Sequence, residues 1–225
     1  MIRAVLFDLD DTLYNEMSFV QSGFRAVSHC VKMRFGIDED EFYCLLLNIL
    51  ENEGRGKVFD FALQHYLLCN LELVNALVNT YRSHSPTIHL YDDALAALKT
   101  LRQDGLSLGI ITDGLLSVQK NKIHSLGLEA FVDLVIYTDE LGQEYWKPHQ
   151  RPYTMALSYF NVKANEAVYV GDNEKKDFKA ANELGMFTIQ VLRKRNQLDD
   201  IESIYKAKKH VASIEELIGF IRGET

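Results

Sequence analysis

A change of period limits what this chain can fold into. Residues 4–9 form an apolar run of strand length, the pattern of a strand buried on both faces. From about residue 15 to residue 85 apolar side chains recur instead at steps of three and four. Val20, Phe24, Val27, Val31 and Phe35 do so, then Phe42, Leu45, Leu46 and Ile49, then Phe59, Ala62, Leu63 and Tyr66, and finally Val74, Leu77, Val78 and Tyr81. That is the spacing of one helix face, and it predicts four helices and no strand. Gly36 and Gly54-Arg55-Gly56 punctuate them. After Pro86 strand-length runs return at 106–111, 132–137, 167–170 and 187–191. They alternate with helical stretches at 92–103, 115–126, 152–160 and 175–184. Ser213-Ile-Glu-Glu216 has the spacing of a capping box and predicts the start of a last helix. Strands that alternate with helices imply a parallel sheet covered on both faces. The expected fold class is α/β, with a core from residues 1–14 and 86–225 split by a helical insertion at 15–85.

Composition narrows the partners. The 225 residues carry a formal charge of −8, which argues against a general affinity for nucleic acid, since that needs a basic face. The stretches Arg193-Lys194-Arg195 and Lys208-Lys209 read as solvated surface. Cys30, Cys44 and Cys69 are too few and too scattered for a disulfide framework or a zinc site and read as small buried hydrophobes. No apolar run reaches the roughly 20 residues of a membrane span, and the start lacks a signal peptide's basic segment. The expectation is a cytoplasmic protein without membrane or nucleic-acid partners.

Four motifs then fall at strand ends. In Phe7-Asp8-Leu9-Asp10-Asp11-Thr12-Leu13 three acids follow a buried strand, where open α/β sheets bind ligands. Crowded carboxylates repel one another, and a cation with hard oxygen ligands, magnesium, relieves them. Side chains alternate along an extended strand end, so Asp8 and Asp10 can point the same way. One can attack phosphorus while the other handles the leaving group's proton. Asp11 reads as a turn residue. In Gly109-Ile-Ile-Thr112-Asp113-Gly114 a hydroxyl and helix-start amides are natural donors to phosphate oxygen. Lys147, before Pro148, could neutralise a phosphate. In Gly171-Asp172-Asn173-Glu174-Lys175-Lys176-Asp177, Asp172 suits a metal ligand, and Asp177 a ligand through water or an orienting acid. Taken singly, each motif also fits an ordinary helix cap or polar surface. Their joint fall along one sheet edge does not.

The chain resembles the haloacid dehalogenase-like superfamily of phosphatases over essentially its whole length, on FDLDDTL, ITDG, the Lys147-Pro148 pair and GDNEKKD in that order. The resemblance implies a Rossmann-like core with an inserted helical-bundle cap domain at 15–85. It makes Asp8 the nucleophile and Asp10 the general acid and base. Thr112, Asp113, Gly114 and Lys147 would hold the phosphoryl group. Asp8, Asp10 through its main-chain carbonyl, and Asp172 would ligate Mg2+, with Asp177 in support. Dehalogenases usually lack an acid at the position of Asp10, so phosphoryl chemistry is favoured. A phosphonate hydrolase would need a cap lysine, for which Lys32 and Lys57 stand only by location. The implied reaction is hydrolysis of a small phosphomonoester, a sugar phosphate or a nucleotide. The alternatives are a phosphomutase of the same superfamily or a relative that binds phosphate without turnover. The glycines of Glu53-Gly54-Arg55-Gly56-Lys57 permit a tight excursion, and Arg55 could grip a sugar hydroxyl or a second anion.

Overall fold

The computed structural model describes residues 1–193 and 202–223. The chain divides into two compact units, Met1–Asn15 with His89–Thr225, and Glu16–Ile88. Helices α1 (Glu16–Phe35), α2 (Glu39–Glu53), α3 (Val58–His65) and α4 (Leu71–Ser83) make the second unit. The first holds α5 (Asp92–Gln103), α6 (Leu116–Ser125), α7 (Arg151–Phe160), α8 (Glu174–Leu184) and α9 (Glu215–Arg222). Among the described residues it also holds six strands: β1 (Ala4–Phe7), β2 (Ser107–Thr112), β3 (Leu134–Tyr137), β4 (Ala167–Gly171), β5 (Phe187–Val191) and β6 (Lys209–Val211).

The sheet is parallel throughout, in the order β3-β2-β1-β4-β5-β6. This is the doubly wound, Rossmann-like order, which places a ligand crevice where the winding reverses. β1 stands at that reversal, with Phe7 beside Ile110 of β2 and Val170 of β4. The segments leaving β1, β2 and β4 therefore emerge side by side. All four β1 residues are buried, because helices cover both faces of the sheet. Tyr153 and Ala156 of α7 and Phe178 and Ala181 of α8 join Leu6, Ile111 and Tyr169 in one apolar cluster. Each such large side chain removed from water contributes about 1.5–3 kcal/mol. β1 ends at Phe7, earlier than the apolar run suggests. The chain turns there: the Leu13 N–H returns to the Leu9 carbonyl at 3.0 Å, and Asp11 adopts the left-handed backbone at φ 53°.

In the helical unit Asp38 caps α2, accepting from the N–H groups of Asp40 and Glu41 at 3.0 Å. Asn70 caps α4 through the Leu73 N–H at 2.8 Å. Phe24, Val27, Phe42, Leu46, Leu63 and Leu77 form its core, on the faces that the periodicity marks. Gly23 of α1 is set against an aromatic ring: a Cβ there would lie 2.4 Å from Tyr81 Cδ2. Tyr81 cannot swing aside freely, being packed against the rings of Phe19, Phe24 and Phe59. Gly23→Ala is therefore expected to destabilise the fold by about 1–3 kcal/mol despite alanine's better helix propensity. Urea denaturation checks this, and a stabilised variant would contradict the packing.

Three expectations need correction. Arg193 is not solvated surface. Its guanidinium holds the Asp93 carboxylate at 2.8 and 2.9 Å and the Thr12 carbonyl at 3.0 and 3.2 Å, so its burial is compensated by a satisfied planar fork. Lys194 and Arg195 lie outside the described residues. Lys208 and Lys209 are exposed and half-buried, but the Lys208 ammonium reaches the Met186 carbonyl. The cysteines are not buried: Cys44 and Cys69 are exposed and Cys30 is half-buried, all as free thiols. Only half of the capping box forms. Glu216 accepts from the Ser213 N–H at 3.3 Å, but the cap position falls to Ile214, whose N–H is held by Asp93 at 2.7 Å.

Candidate active site

Asp8 is the first residue after β1, and its N–H still reaches the Val170 carbonyl of β4 at 2.8 Å. Its carboxylate meets the Lys147 ammonium at 2.5 Å. That ammonium also donates to Asp177 Oδ1 at 2.8 Å and to the Tyr169 hydroxyl at 3.3 Å. Burial pushes the Asp8 carboxyl well above the usual carboxylate range. Lys147 pulls it back, and Asp177 and Asp172 add to the rise. For Lys147, burial favours the neutral amine, but Asp177 and Asp8 outweigh it and hold the ammonium form well above the ordinary range.

Asp172 follows β4 directly, and the Gln190 side chain of β5 holds its main-chain carbonyl at 2.8 Å. Asp177 sits in the first turn of α8. Its Oδ2 accepts the Asn173 N–H at 2.9 Å. Gly171 makes room for it: a Cβ there would lie 2.4 Å from the Asp177 carboxylate. Asp8, Asp172 and Asp177 each offer an oxygen, all within 4.8 Å of one another. Asp8, Asp10, Asp172 and Asp177 outnumber Lys147 and Lys122, and a cation would offset the excess negative charge. The donors are all hard oxygens, which suits magnesium rather than a thiophilic metal. Both oxygens of Asp177 already serve Lys147 and Asn173, so it fits the supporting place better than direct ligation.

Asp10 is held differently. Its Oδ1 accepts from the Tyr14 hydroxyl and from Lys122 Nζ at 2.7 Å, and its Oδ2 accepts from Gln119 Nε2 at 3.0 Å. Burial pushes this carboxyl up, but Lys122, by charge and hydrogen bond, with Tyr14 and Gln119, leaves it below its ordinary value. With the side chain so engaged, any part of Asp10 in holding a cation falls to its main chain. Gln119 also donates to Thr112 Oγ1 at 2.5 Å, so the hydroxyl's own hydrogen is left to donate elsewhere. Tyr14, Gln119 and Lys122 carry no signal in the sequence. Gln119-Lys120-Asn121-Lys122 falls inside the predicted helix 115–126 with nothing to mark it, and only the fold turns two of these residues inward.

Asp113 braces the loop rather than facing a phosphate, which its charge would repel. Its Oδ1 accepts from the Thr138 hydroxyl at 2.7 Å and from the Lys147 N–H at 3.2 Å. Neither Thr112 nor Asp113 caps α6; that position is Leu115, and Asp139 receives the Leu116 N–H at 2.9 Å. Gly114 opens the turn between them at φ 122°. Arg55 belongs to the helical unit, where it grips Glu16 with two bonds of 2.6 and 2.9 Å. Among the described residues no helix is long and apolar enough to cross a membrane.

Residues 5–191 match the family model described as haloacid dehalogenase-like hydrolase. The chain is 35% identical to a glyceraldehyde 3-phosphate phosphatase of Methanocaldococcus jannaschii, over 99% of this chain and 98% of that one. It is 32% identical to a ribulose-1,5-bisphosphate 5-phosphatase of Halopiger xanaduensis, over 84% of each. Its fold resembles that of a crystal structure described as a HAD phosphatase from Thermococcus onnurineus. There the TM-score is 0.65 and the identity 24%, over 99% of both chains. With a family match across most of its length and phosphatases among its sequence relatives, the chain belongs to the haloacid dehalogenase-like hydrolases.

Proposed function

We propose that this protein is a magnesium-dependent phosphatase that hydrolyses a small phosphorylated sugar through a phospho-aspartyl intermediate on Asp8. The observation that carries the reading is the buried Asp8 carboxylate, paired with Lys147 and gathered with Asp172 and Asp177 within 4.8 Å. Bound magnesium would supply charge that lets an anionic nucleophile approach an anionic ester. A carboxylate oxygen of Asp8 forms the new bond to phosphorus as the bond to the leaving oxygen breaks, and Asp10, which takes up a proton brought in by the substrate's phosphate monoanion, gives that proton to the leaving oxygen. Water then attacks the phosphorus of the acyl phosphate, Asp10 takes a proton from it, and Asp8 is released as carboxylate. The balance is ester plus water to alcohol plus phosphate. The Thr112 hydroxyl and the amides after it would donate to phosphoryl oxygens, and Lys147 would offset their charge. Residues 15–85 would be the family's cap domain.

The relatives named above act, by their names, on short-chain sugar phosphates, which favours that class over nucleotides. The exposed free thiols of Cys44 and Cys69 suit a reducing compartment such as the cytoplasm. The test is phosphate release from a panel containing glyceraldehyde 3-phosphate, ribulose 1,5-bisphosphate, other sugar phosphates and nucleotides. Release from the sugar phosphates is expected, with loss in EDTA and recovery on adding magnesium. Metal-independent release, isomer interconversion without release, or silence across the panel would each overturn the proposal.

A further inference from the structure

We infer that Gln119 and Lys122 of α6 are positioning residues that lock the Asp10 carboxyl against Thr112, so that it faces the leaving oxygen of the substrate. This rests on the phosphatase reading and adds to it two residues that no motif marks. The two lie three positions apart and so share one face of the helix. That face is turned into the protein: Gln119 is 2% and Lys122 5% exposed. A buried lysine is costly unless it is paired, and Lys122 meets Asp10 Oδ1 at 2.7 Å.

The geometry fixes the role of each. A carboxylate only accepts, so the end of Gln119 that faces Asp10 must be its amide nitrogen. The same nitrogen donates to Thr112 Oγ1, which joins the segment after β1 to the end of β2. Tyr14 and Lys122 occupy Oδ1 while Gln119 occupies Oδ2. The carboxyl plane is thereby set from both sides, and rotation about its χ2 would break at least one bond. Proton delivery depends on placement: a displacement of about 1 Å can cost 10²-fold in rate. An aliphatic alkoxide cannot leave without a proton, whereas p-nitrophenolate can. Loss of orientation at Asp10 should therefore fall selectively on alkyl phosphates.

The test compares p-nitrophenyl phosphate with the best alkyl phosphate of the panel for wild type, Lys122→Met, Gln119→Leu, Lys122→Arg, Asp10→Asn and the Asp10→Asn/Lys122→Met double variant. Melting temperatures are measured beside the kinetics. Lys122→Met and Gln119→Leu are expected to lower kcat on the alkyl ester by roughly 10–100-fold, part of the 10²–10⁴ that general acid catalysis supplies. KM should stay within about threefold, and the loss on the aryl ester should be about tenfold smaller or less. Lys122→Arg should recover part of the rate. In the Asp10→Asn background Lys122→Met should add no further loss, because its target is gone. Equal losses on both esters, or additive losses in the double variant, would overturn the positioning role. Gln119→Leu, which leaves the ion pair intact, keeps the test decisive if Lys122→Met unfolds. Wild-type turnover of p-nitrophenyl phosphate reports separately on the phosphatase reading. Silence on both that ester and the sugar-phosphate panel would sink that reading and this inference together, whereas unselective losses would sink the inference alone.

Discussion

Asp8→Asn is expected to lower phosphate release by at least about 10³-fold while leaving a folded protein that still binds substrate. The amide keeps the size of the side chain and one acceptor for Lys147, but it cannot donate a lone pair to phosphorus as a carboxylate does. The stability side has a definite sign. Burial raises the Asp8 carboxyl well above the usual range, so its ionised form costs folding free energy above that raised value, and stability grows as pH falls through it. A neutral amide removes the cost, against which stands one weakened bond to Lys147. The melting temperature should therefore change by no more than a few degrees, about 1 kcal/mol or less in either direction. Phosphate release above about 1% of wild type, measured at saturating substrate, would rule out Asp8 as an essential nucleophile.

Lys147→Met is expected to damage both rate and stability. The ammonium is almost fully buried and bridges Asp8 and Asp177. Methionine fills a similar volume but leaves two buried anions without their cation, a change of about 3–5 kcal/mol when one partner of a buried pair is removed. The folded-state pKa of Lys147 lies above its ordinary value. Its contribution is thus complete at all pH values below the unfolded lysine's pKa and fades only as pH rises through the folded one. Urea melts at pH 7.5 therefore see all of it. Adding Asp8→Asn to Lys147→Met should return part of the loss, since one orphaned charge is then removed. A Lys147→Met protein as stable as wild type would show that the ammonium is not balancing these acids.

What could be read in advance follows from where the physics is local. β1, β2 and β4 are visible because buried parallel strands are continuous apolar runs. Asp8, Thr112 and Asp172 are visible because they follow those runs directly. β6 was not, since Lys209, His210 and Val211 make too short and too polar a run to stand out. The cysteines sit on helix faces whose angle to the core is set by tertiary packing: Cys30 lies between the buried Val27 and Val31 yet is half exposed. Arg193 and Lys122 were hidden for one shared reason. A charged side chain is buried only when a partner distant in sequence meets it, Asp93 in one case and Asp10 in the other. The bracing of Lys147 by Asp113 is hidden in the same way.

Among the described residues, the strand that leads into Asp8 pairs with β2 and β4, both made after the helical unit. During synthesis it must therefore wait, unpaired, while Glu16–Ile88 is completed. Condensing that segment first shortens the effective loop that β1 must close. Lys147 is made between β2 and β4, and Asp172 and Asp177 follow β4. A nascent or truncated product ending before Asp172 cannot complete the group of Asp8, Lys147, Asp172 and Asp177, which is whole only once the chain has passed residue 177.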